Sequence, residues 1–296
     1  MLAGACSLPG TGATGAAPDA AGDDRAAHAG SGGAPGGADA GTGGAAGMTT
    51  VPGSGGVAGG GGADTDGGTA DSADGGPARV DKALLYIFSN LYFRHPSIEP
   101  AAFTLEALLK DRGFSVEISK DPGKFTQANL ADLRLVVMIG SCGAPLGDPE
   151  TESVAALDAW LKAGGAFVGI HAASAVKYAP TSRFVAIMGG RFIGHPGDLR
   201  PAMCTPQGTH PSVANLPTPF MVHDEIYNFD GYNNANQVDL TCAGLNGAPL
   251  PIAWHRSEGA GRVFYTALGH EIPVWQPDTP MVKDHVWPGI LWALGL

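Results

Sequence analysis

The chain has 296 residues, of which 15% are charged, and a formal net charge of −11. Residues 1–78 contain 25 of the 46 glycines, no Phe, Tyr or Trp, and eight Asp against one Arg. Such a segment buries too little apolar surface to offset the entropy that ordering costs. We therefore predict a disordered Gly/Ala/Asp-rich segment over 1–78 and one folded domain over 79–296.

The composition also bears on partners and location. The folded part carries a net charge of only −4 and has no basic stripe, which argues against nucleic acid as a partner. No run of about 20 apolar residues exists, so we expect no transmembrane segment. Cys6, in the stretch LAGAC, resembles a bacterial lipobox, although a charged start and an apolar h-region are absent. Either the true start lies upstream of Met1 or the resemblance is chance. The long spacer behind Cys6 favours a lipid-anchored protein of the cell envelope or a secreted one.

Strand and helix patterns alternate after Pro77. Short apolar or alternating runs predict strands, and apolar residues at helical spacing that end in glycine predict helices. In chain order the predicted elements are a strand at 82–88, a helix at 99–113, strands at 114–118 and 133–140, a helix at 148–165, and a strand at 166–171. This alternation predicts an α/β fold with a mainly parallel sheet and helices on both faces.

The second half of the domain is richer in strands. The clearest are PIAWHR (251–256) and RVFYTALG (262–269), and 281–294 closes the chain as a helix that is interrupted or begins near Pro288. Four cysteines follow no CxxC or zinc-finger spacing, and Cys204 and Cys242 are able to pair if the protein is exported.

Three histidines follow predicted strands at equivalent places. His95 comes after the first strand, His171 ends the fourth, and His270 ends RVFYTALGH. Ligands of open α/β sheets bind outside the carboxyl ends of the strands, so these imidazoles are expected on one rim. A single histidine of this kind usually bonds a backbone carbonyl, but three together favour a site.

Further polar residues accompany them. His195 lies in the Gly/Pro-rich stretch GRFIGHPGD, and VHDEIYNF places Asp224 and Glu225 side by side. Neighbouring residues of an extended chain point to opposite faces, so only one of the two carboxylates is expected to point at a site. The alternative is a solvated charged turn. We expect ordinary roles for the remaining histidines His28, His210 and His285.

Six motifs in a fixed order carry a family resemblance. They are FRH (93–95), GGAFVGIHAA (164–173), GHP (194–196), DEIYNF (224–229), PIAWHR (251–256) and GRVFYTALGHE (261–271). The series resembles the ThuA-like (trehalose-utilisation) family over about residues 80–296. The resemblance implies a flavodoxin-like three-layer sandwich related to class I glutamine amidotransferases.

The resemblance also explains the histidine in GIHAA (169–173). In the related amidotransferases a Gly-x-Cys-x-Gly elbow presents the nucleophile on a sharp strand-to-helix turn. His171 takes the place of that cysteine here, so thiolate attack at the elbow, and with it glutamine amidotransferase activity, is excluded. Cys142 has no visible activating base, and we interpret it as a small loop residue. We expect the His171 imidazole to face a solvent-filled pocket.

Two kinds of chemistry suit these residues. In the first, His171, Glu225 and His270 transfer protons on a glycoside or an oxidised (keto) sugar, with substrate held by His95, His195, Asp224, Tyr227 and Trp254. In the second, some of the candidates bind a divalent metal such as zinc, although no HExxH-type motif is present. The metal candidates are His95, His171, His195, Asp224 and His270.

The family link to sugar utilisation suggests a carbohydrate ligand in either case, and aromatic residues in or near the motifs either stack on sugar or belong to the core. They are Tyr92, Phe93, Tyr227, Trp254 and Trp275. We expect a sugar-processing hydrolase, lyase or isomerase; the alternative is a non-catalytic carbohydrate-binding lipoprotein of the envelope.

Overall fold

A computed structural model describes residues 81–88, 94–147, 151–195, 197 and 199–296. The segment predicted to be disordered, residues 1–78, lies wholly outside the described residues, as do Cys6, Tyr92 and Phe93. None of the helices in the described ranges has the length and apolar character needed to cross a bilayer.

Eleven strands and five α-helices make up the described part of the chain. In chain order they are β1 (Lys82–Tyr86), α1 (Ile98–Asp111), β2 (Ser115–Ser119), α2 (Gln127–Ala131), β3 (Leu133–Ile139), α3 (Glu152–Lys162), β4 (Ala166–Ile170), α4 (Arg183–Met188), β5 (Arg191–Gly194), β6 (Arg200–Pro206), β7 (Phe220–Asp224), β8 (Asn228–Asp230), β9 (Gln237–Ala243), β10 (Pro249–Glu258), β11 (Gly261–Thr266) and α5 (Trp287–Leu294).

Nine of the strands form one sheet in the order β2-β1-β3-β4-β11-β10-β9-β6-β7. The first five are mutually parallel, and we call them the parallel half. From β11 onward every pairing is antiparallel, and β10, β9, β6 and β7 form the antiparallel half. The prediction of an α/β fold is confirmed, and the parallel half has the 2-1-3-4-5 order of doubly wound sheets. The antiparallel half extends that sheet by four strands.

Four of the five strands of the parallel half are covered on both faces, and the edge strand β2 is the exception. In β3 and β4 the runs LVVMI and AFVGI are almost completely buried. A continuous apolar run of this kind is what a two-sided core requires, whereas alternation would leave one face wet. Pro288 lies at the start of α5, directly after a π-helical turn, Met281–Val286, as the closing-helix pattern predicted.

A disulfide joins two strands of the antiparallel half. Cys204 of β6 and Cys242 of β9 lie directly opposite each other in the register and are bonded. Both side chains are buried. The pairing that the sequence left open therefore forms, and it links β6 to the rest of the antiparallel half. Cys142 is buried and takes no part in it.

Candidate functional site

The turn after β4 holds His171 in an unusual backbone conformation. His171 has φ 53°, and it is the only non-glycine residue with positive φ among the described residues. Such strain persists only where the surroundings fix it. Here the His171 carbonyl accepts a hydrogen bond from the Tyr265 hydroxyl at 2.9 Å, and its ring Nδ1 lies 2.6 Å from the Ala267 carbonyl oxygen. Ala172 and Ala173 are fully buried and leave room for this tight elbow.

The His171 imidazole is buried rather than open to solvent. Only 2% of the side chain is exposed, so the expectation of a solvent-filled pocket around it is wrong. The cause is the close packing of other polar rings, because the His95 and His270 rings lie 4.5 and 5.3 Å from it, centroid to centroid, and nearly perpendicular. The imidazole thus faces a polar cluster.

Three imidazoles and one carboxylate form this cluster, which we call the rim cluster: His95, His171, Glu225 and His270. Each offers a ligand atom within 4.8 Å of those of the other three. His171 follows β4, Glu225 follows β7, and His270 comes a few residues after β11. Four segments that are far apart in sequence therefore meet at the carboxyl ends of strands, where doubly wound sheets bind ligands.

Glu225 is at the centre of the rim cluster. Its Oε2 lies 3.3 Å from His270 Nδ1 and 3.6 Å from His171 Nε2. The other oxygen, Oε1, lies 3.4 Å from His195 Nε2. The Tyr227 hydroxyl donates a hydrogen bond to Oε2 at 3.3 Å and lies 3.1 Å from His171 Nε2. The structure thus brings His195 and Tyr227 to the edge of the rim cluster.

Asp224, predicted to bind substrate or metal, is not among the donors of the rim cluster, because backbone N–H groups occupy its carboxylate. Its carboxylate accepts hydrogen bonds from the backbone N–H groups of Glu225 at 2.8 Å, Gly269 at 2.8 Å and His270 at 3.4 Å. These bonds join the chain after β7 to the chain after β11, which are four places apart in the sheet. Asp224 therefore fixes the backbone that carries Glu225 and His270.

Trp254 is the other predicted site residue that the structure places apart from the rim cluster. Its side chain is completely buried, and its indole N–H donates to the Met188 carbonyl oxygen at 3.1 Å. The ring stacks on Tyr265 with centroids 4.4 Å apart. These contacts belong to the core beneath the site.

Burial and mutual repulsion set the charges of the rim cluster. Burial, helped by His270 and His195, lowers the pKa of His95 to about 3. Burial, with the neighbouring His95, holds the pKa of His171 well below its ordinary value. Burial opposes charge on His270 and on Glu225 too, but their mutual contact and the attraction of the neighbouring ionisable groups together outweigh it, so the pKa of His270 is raised and that of Glu225 is lowered. Two neutral imidazoles thus lie beside an ion pair.

The donor set fits a divalent metal ion. Ligand atoms about 2.0–2.1 Å from a tetrahedral zinc lie roughly 3.3 Å from one another. Glu225 Oε2 lies 3.3 Å from His270 Nδ1 and 3.6 Å from His171 Nε2. Both distances are close to this spacing and longer than those of ordinary charged hydrogen bonds. His171 Nδ1 is held by a backbone carbonyl, the arrangement that orients metal-binding imidazoles through the other nitrogen. His95, His171, Glu225 and His270 are the residues that would hold the ion.

A second group of polar residues escaped the sequence reasoning. His210, Asp239 and His255 also offer ligand atoms within 4.8 Å of one another. His210 was interpreted as ordinary, and His255 was noted only as part of PIAWHR. The available signal was Asp239, a carboxylate between Val238 and Leu240 in the strand pattern QVDLT.

The chain belongs to the ThuA family. The family model described as "Trehalose utilisation" matches residues 83–293. Among solved structures, a putative ThuA-like protein from Bacteroides uniformis is 22% identical, with a TM-score of 0.56 and coverage of 74% of this chain and 92% of that one. A putative ThuA-like protein from Parabacteroides merdae is 19% identical, with a TM-score of 0.52 and coverage of 73% and 90%. No curated protein matches the sequence significantly. These similarities establish the family and the fold.

Proposed function

We propose that the protein is an enzyme that acts on a glycoside or an oxidised (keto) sugar, with the rim cluster as its catalytic centre. The observation that carries the proposal is the convergence of three imidazoles and one carboxylate, from four distant segments, at the carboxyl ends of strands. Perturbed ionisable groups gathered in this way are typical of functional sites. The sugar is suggested by the trehalose-utilisation description of the family.

Metal-assisted chemistry is the mechanism that the geometry supports best. The neutral His95 and His171 rings are in the form that binds metals. A divalent ion such as zinc, when bound there, supplies a Lewis acid that polarises a sugar oxygen. Tyr227 and His195 both lie beside Glu225 without belonging to the four-donor set, so they are the groups available to hold or move a proton next to the substrate.

Acid–base chemistry without a metal is a second candidate, favoured by one observation. The His270–Glu225 contact pairs an imidazole of raised pKa with a carboxylate of lowered pKa. His270 is then the proton donor and Glu225 the acceptor, with the nearby Tyr227 hydroxyl to pass a proton between them and His171. The metal content of the purified protein separates the two mechanisms.

We further propose that the protein is exported and held in the cell envelope, with a lipid anchor at Cys6. The Cys204–Cys242 disulfide supports export, because disulfides persist mainly outside the reducing cytoplasm.

We also propose that the fold is a flavodoxin-like three-layer sandwich, which the contacts between helices and sheet support. The helices fall into two packed groups, one with α1 and α5 and the other with α2, α3 and α4. Helices of both groups contact the sheet, as two helical layers around a central sheet would.

The test combines metal analysis with sugar turnover. The full chain is purified without added chelator, its metal content is measured by mass spectrometry, and keto and ordinary forms of trehalose and other disaccharides are assayed. We expect at least one divalent ion per chain, held by the rim cluster, and turnover of a keto sugar. The matched variants are His270→Gln, which alters the rim cluster, and His223→Gln, which changes an exposed histidine.

The outcomes distinguish the candidates. Loss of turnover together with loss of one bound ion per chain in His270→Gln, with neither lost in His223→Gln, supports the metal mechanism. Turnover by a metal-free protein supports the acid–base mechanism. Sugar binding without turnover of any substrate supports the alternative of a non-catalytic carbohydrate-binding protein. A chain that neither binds nor turns over sugars contradicts the proposal.

A further inference from the structure

A second cluster of potential metal ligands is formed by two strands of the antiparallel half and the loop that follows a third. It consists of His210, which follows β6, Asp239 of β9 and His255 of β10, and we call it the strand cluster. It shares no residue with the rim cluster. His255 pairs in register with Phe264, in the middle of β11, whereas the rim cluster lies beyond the end of that strand. The two clusters are therefore separate sites.

The contacts within the strand cluster are specific. His255 Nδ1 lies 2.6 Å from Asp239 Oδ1, and His210 Nδ1 lies 3.5 Å from Asp239 Oδ2. The side chains of His210, Asp239 and His255 are 5%, 1% and 14% exposed. Asp239 therefore directs one carboxylate oxygen toward a ring nitrogen of each histidine, so that donor atoms of all three residues lie close together.

His210 carries a buried polar atom that the surrounding residues do not satisfy. Its Nδ1 lies 2.8 Å from the Ser212 hydroxyl, but its Nε2 makes no hydrogen bond to any of the described residues. A buried polar group without a partner is costly, and a native structure that keeps one calls for an explanation. Beside His210 and His255 lies a cavity of about 320 Å³, lined also by Gln207, Thr209 and Gln237. A ligand in this cavity would satisfy His210 Nε2.

A serine hydrolase triad is not the explanation. Ser212 and Asp239 both lie at the same ring nitrogen of His210, so the imidazole is unable to pass a proton from one to the other. Ser212 is also completely buried. The neighbouring His285 is no ligand either, because its two nitrogens lie 2.8 Å from the Ser212 carbonyl oxygen and 2.9 Å from the Thr266 hydroxyl.

We propose that His210, Asp239 and His255 bind a divalent transition-metal ion of the zinc class, independently of the rim cluster. Two imidazoles and a carboxylate are a usual donor set for such an ion, with one position left for water. The two rings now stack, with centroids 3.9 Å apart and planes 13° from parallel. Because a ring nitrogen binds a metal in the plane of its ring, the rings turn apart on binding, and the adjoining cavity gives them room.

Zinc binding to the full chain tests this site. The protein is stripped with a chelator and titrated with Zn²⁺, and the bound ion per chain is counted after equilibrium dialysis. The variants are Glu225→Gln, His255→Gln and the double variant, with His223→Gln as the exposed-histidine control. We expect His255→Gln to lower the count by one ion per chain or to weaken one site at least tenfold, and Glu225→Gln to leave one ion bound.

The design separates this site from the proposed catalytic one. If the rim cluster binds no metal, the unaltered chain still binds one ion, and His255→Gln alone removes it. Circular dichroism and thermal melting show whether each variant is folded, and Glu225→Gln, which leaves the strand cluster intact, answers the question if His255→Gln unfolds. A folded Glu225→Gln protein that binds no zinc overturns the proposal, as does zinc binding that is unchanged in a folded His255→Gln protein.

Discussion

The two halves of the sheet supply different parts of the candidate site. The parallel half presents imidazoles directly after its strands, with His171 after β4 and His270 beyond β11. The antiparallel half curls back to add Glu225 from the chain after β7, held in place by the bonds of Asp224 to Gly269 and His270. In the parallel half the imidazoles lie where the strands end, and local hydrogen bonds then hold them. In the antiparallel half the strand register and the buried Asp224 carboxylate position a single group, Glu225.

The largest expected effect comes from removing that one group. Glu225→Gln keeps the size of the side chain but takes away the charge that pairs with His270 and lies 3.4 Å from His195. We expect sugar turnover to fall on the order of 100-fold or more, since a group that contacts the reacting atoms is lost. Steady-state kinetics on the substrate found for the parent protein measures this. Unchanged turnover would show that the antiparallel half contributes no chemistry.

Reducing the disulfide is expected to have the next largest effect, and one confined to the antiparallel half. The bond closes a separation of 38 residues between β6 and β9. We expect Cys204→Ser with Cys242→Ser to lower the free energy of unfolding by about 2–4 kcal/mol. Denaturant melts of this variant and of the parent, each with and without reductant, provide the measurement. If reductant lowers the free energy of unfolding of the double variant as much as that of the parent, the effect of reductant does not come from this disulfide.

Substitution of His171 tests the parallel half, again through the free energy of unfolding. His171→Ala leaves the Ala267 carbonyl without its 2.6 Å partner and places alanine at φ 53°. We expect a loss of about 1–3 kcal/mol in the free energy of unfolding. His171→Asn is the control for the backbone, because asparagine tolerates positive φ better than alanine. Equal stability of the alanine variant and the parent would show that the elbow does not depend on this imidazole.

Acid is expected to weaken both histidine clusters of the metal-free protein. Burial lowers the pKa of His95 and His210 to about 3 and that of His285 to about 4. The unfolded chain therefore binds more protons below about pH 6.5, so stability present above that pH is lost as the pH falls toward 4. Asp224 opposes this, because burial raises its pKa to about 7 and its protonation in acid then stabilises the fold.

Thermal melts in the presence of chelator show whether the histidines of lowered pKa or the groups that oppose them dominate the pH dependence of stability. His171 is a fourth histidine of lowered pKa, and Asp239 and His270, whose pKa values are raised, act in the same direction as Asp224. Four histidines outweigh these three groups, so we expect the melting temperature to fall between about pH 7 and pH 5. His95→Gln removes an ionisable group from the rim cluster and His210→Gln one from the strand cluster, and each should flatten the profile. A melting temperature that rises in acid would mean that the three opposing groups dominate.

The sequence predicted the parallel half better than the antiparallel half. Apolar runs located β1, β3 and β4, and the carboxyl-end rule placed His171 and His270 on one rim. Glu225 was expected near them, but Asp224 was a candidate too, because alternation along an extended chain says that one of two adjacent carboxylates faces a site without saying which. The sequence pattern did not predict the contact between His210 and Asp239. That contact depends on antiparallel pairing between β6 and β9, and periodicity does not determine which strands pair or in what register.

The position of β7 at the edge of the nine-stranded sheet has a consequence for motion. Edge strands open more easily than central ones, and local opening of β7 would withdraw Glu225 and release the bonds of Asp224 to Gly269 and His270, while leaving His95 and His171 in place. Any ion or substrate that binds Glu225 then also holds the edge strand closed, so occupancy of the rim cluster is coupled to amide exchange in β7. Hydrogen exchange at Phe220–Asp224 would therefore slow when the site is filled, whereas the amides of β4 would already be protected in its absence.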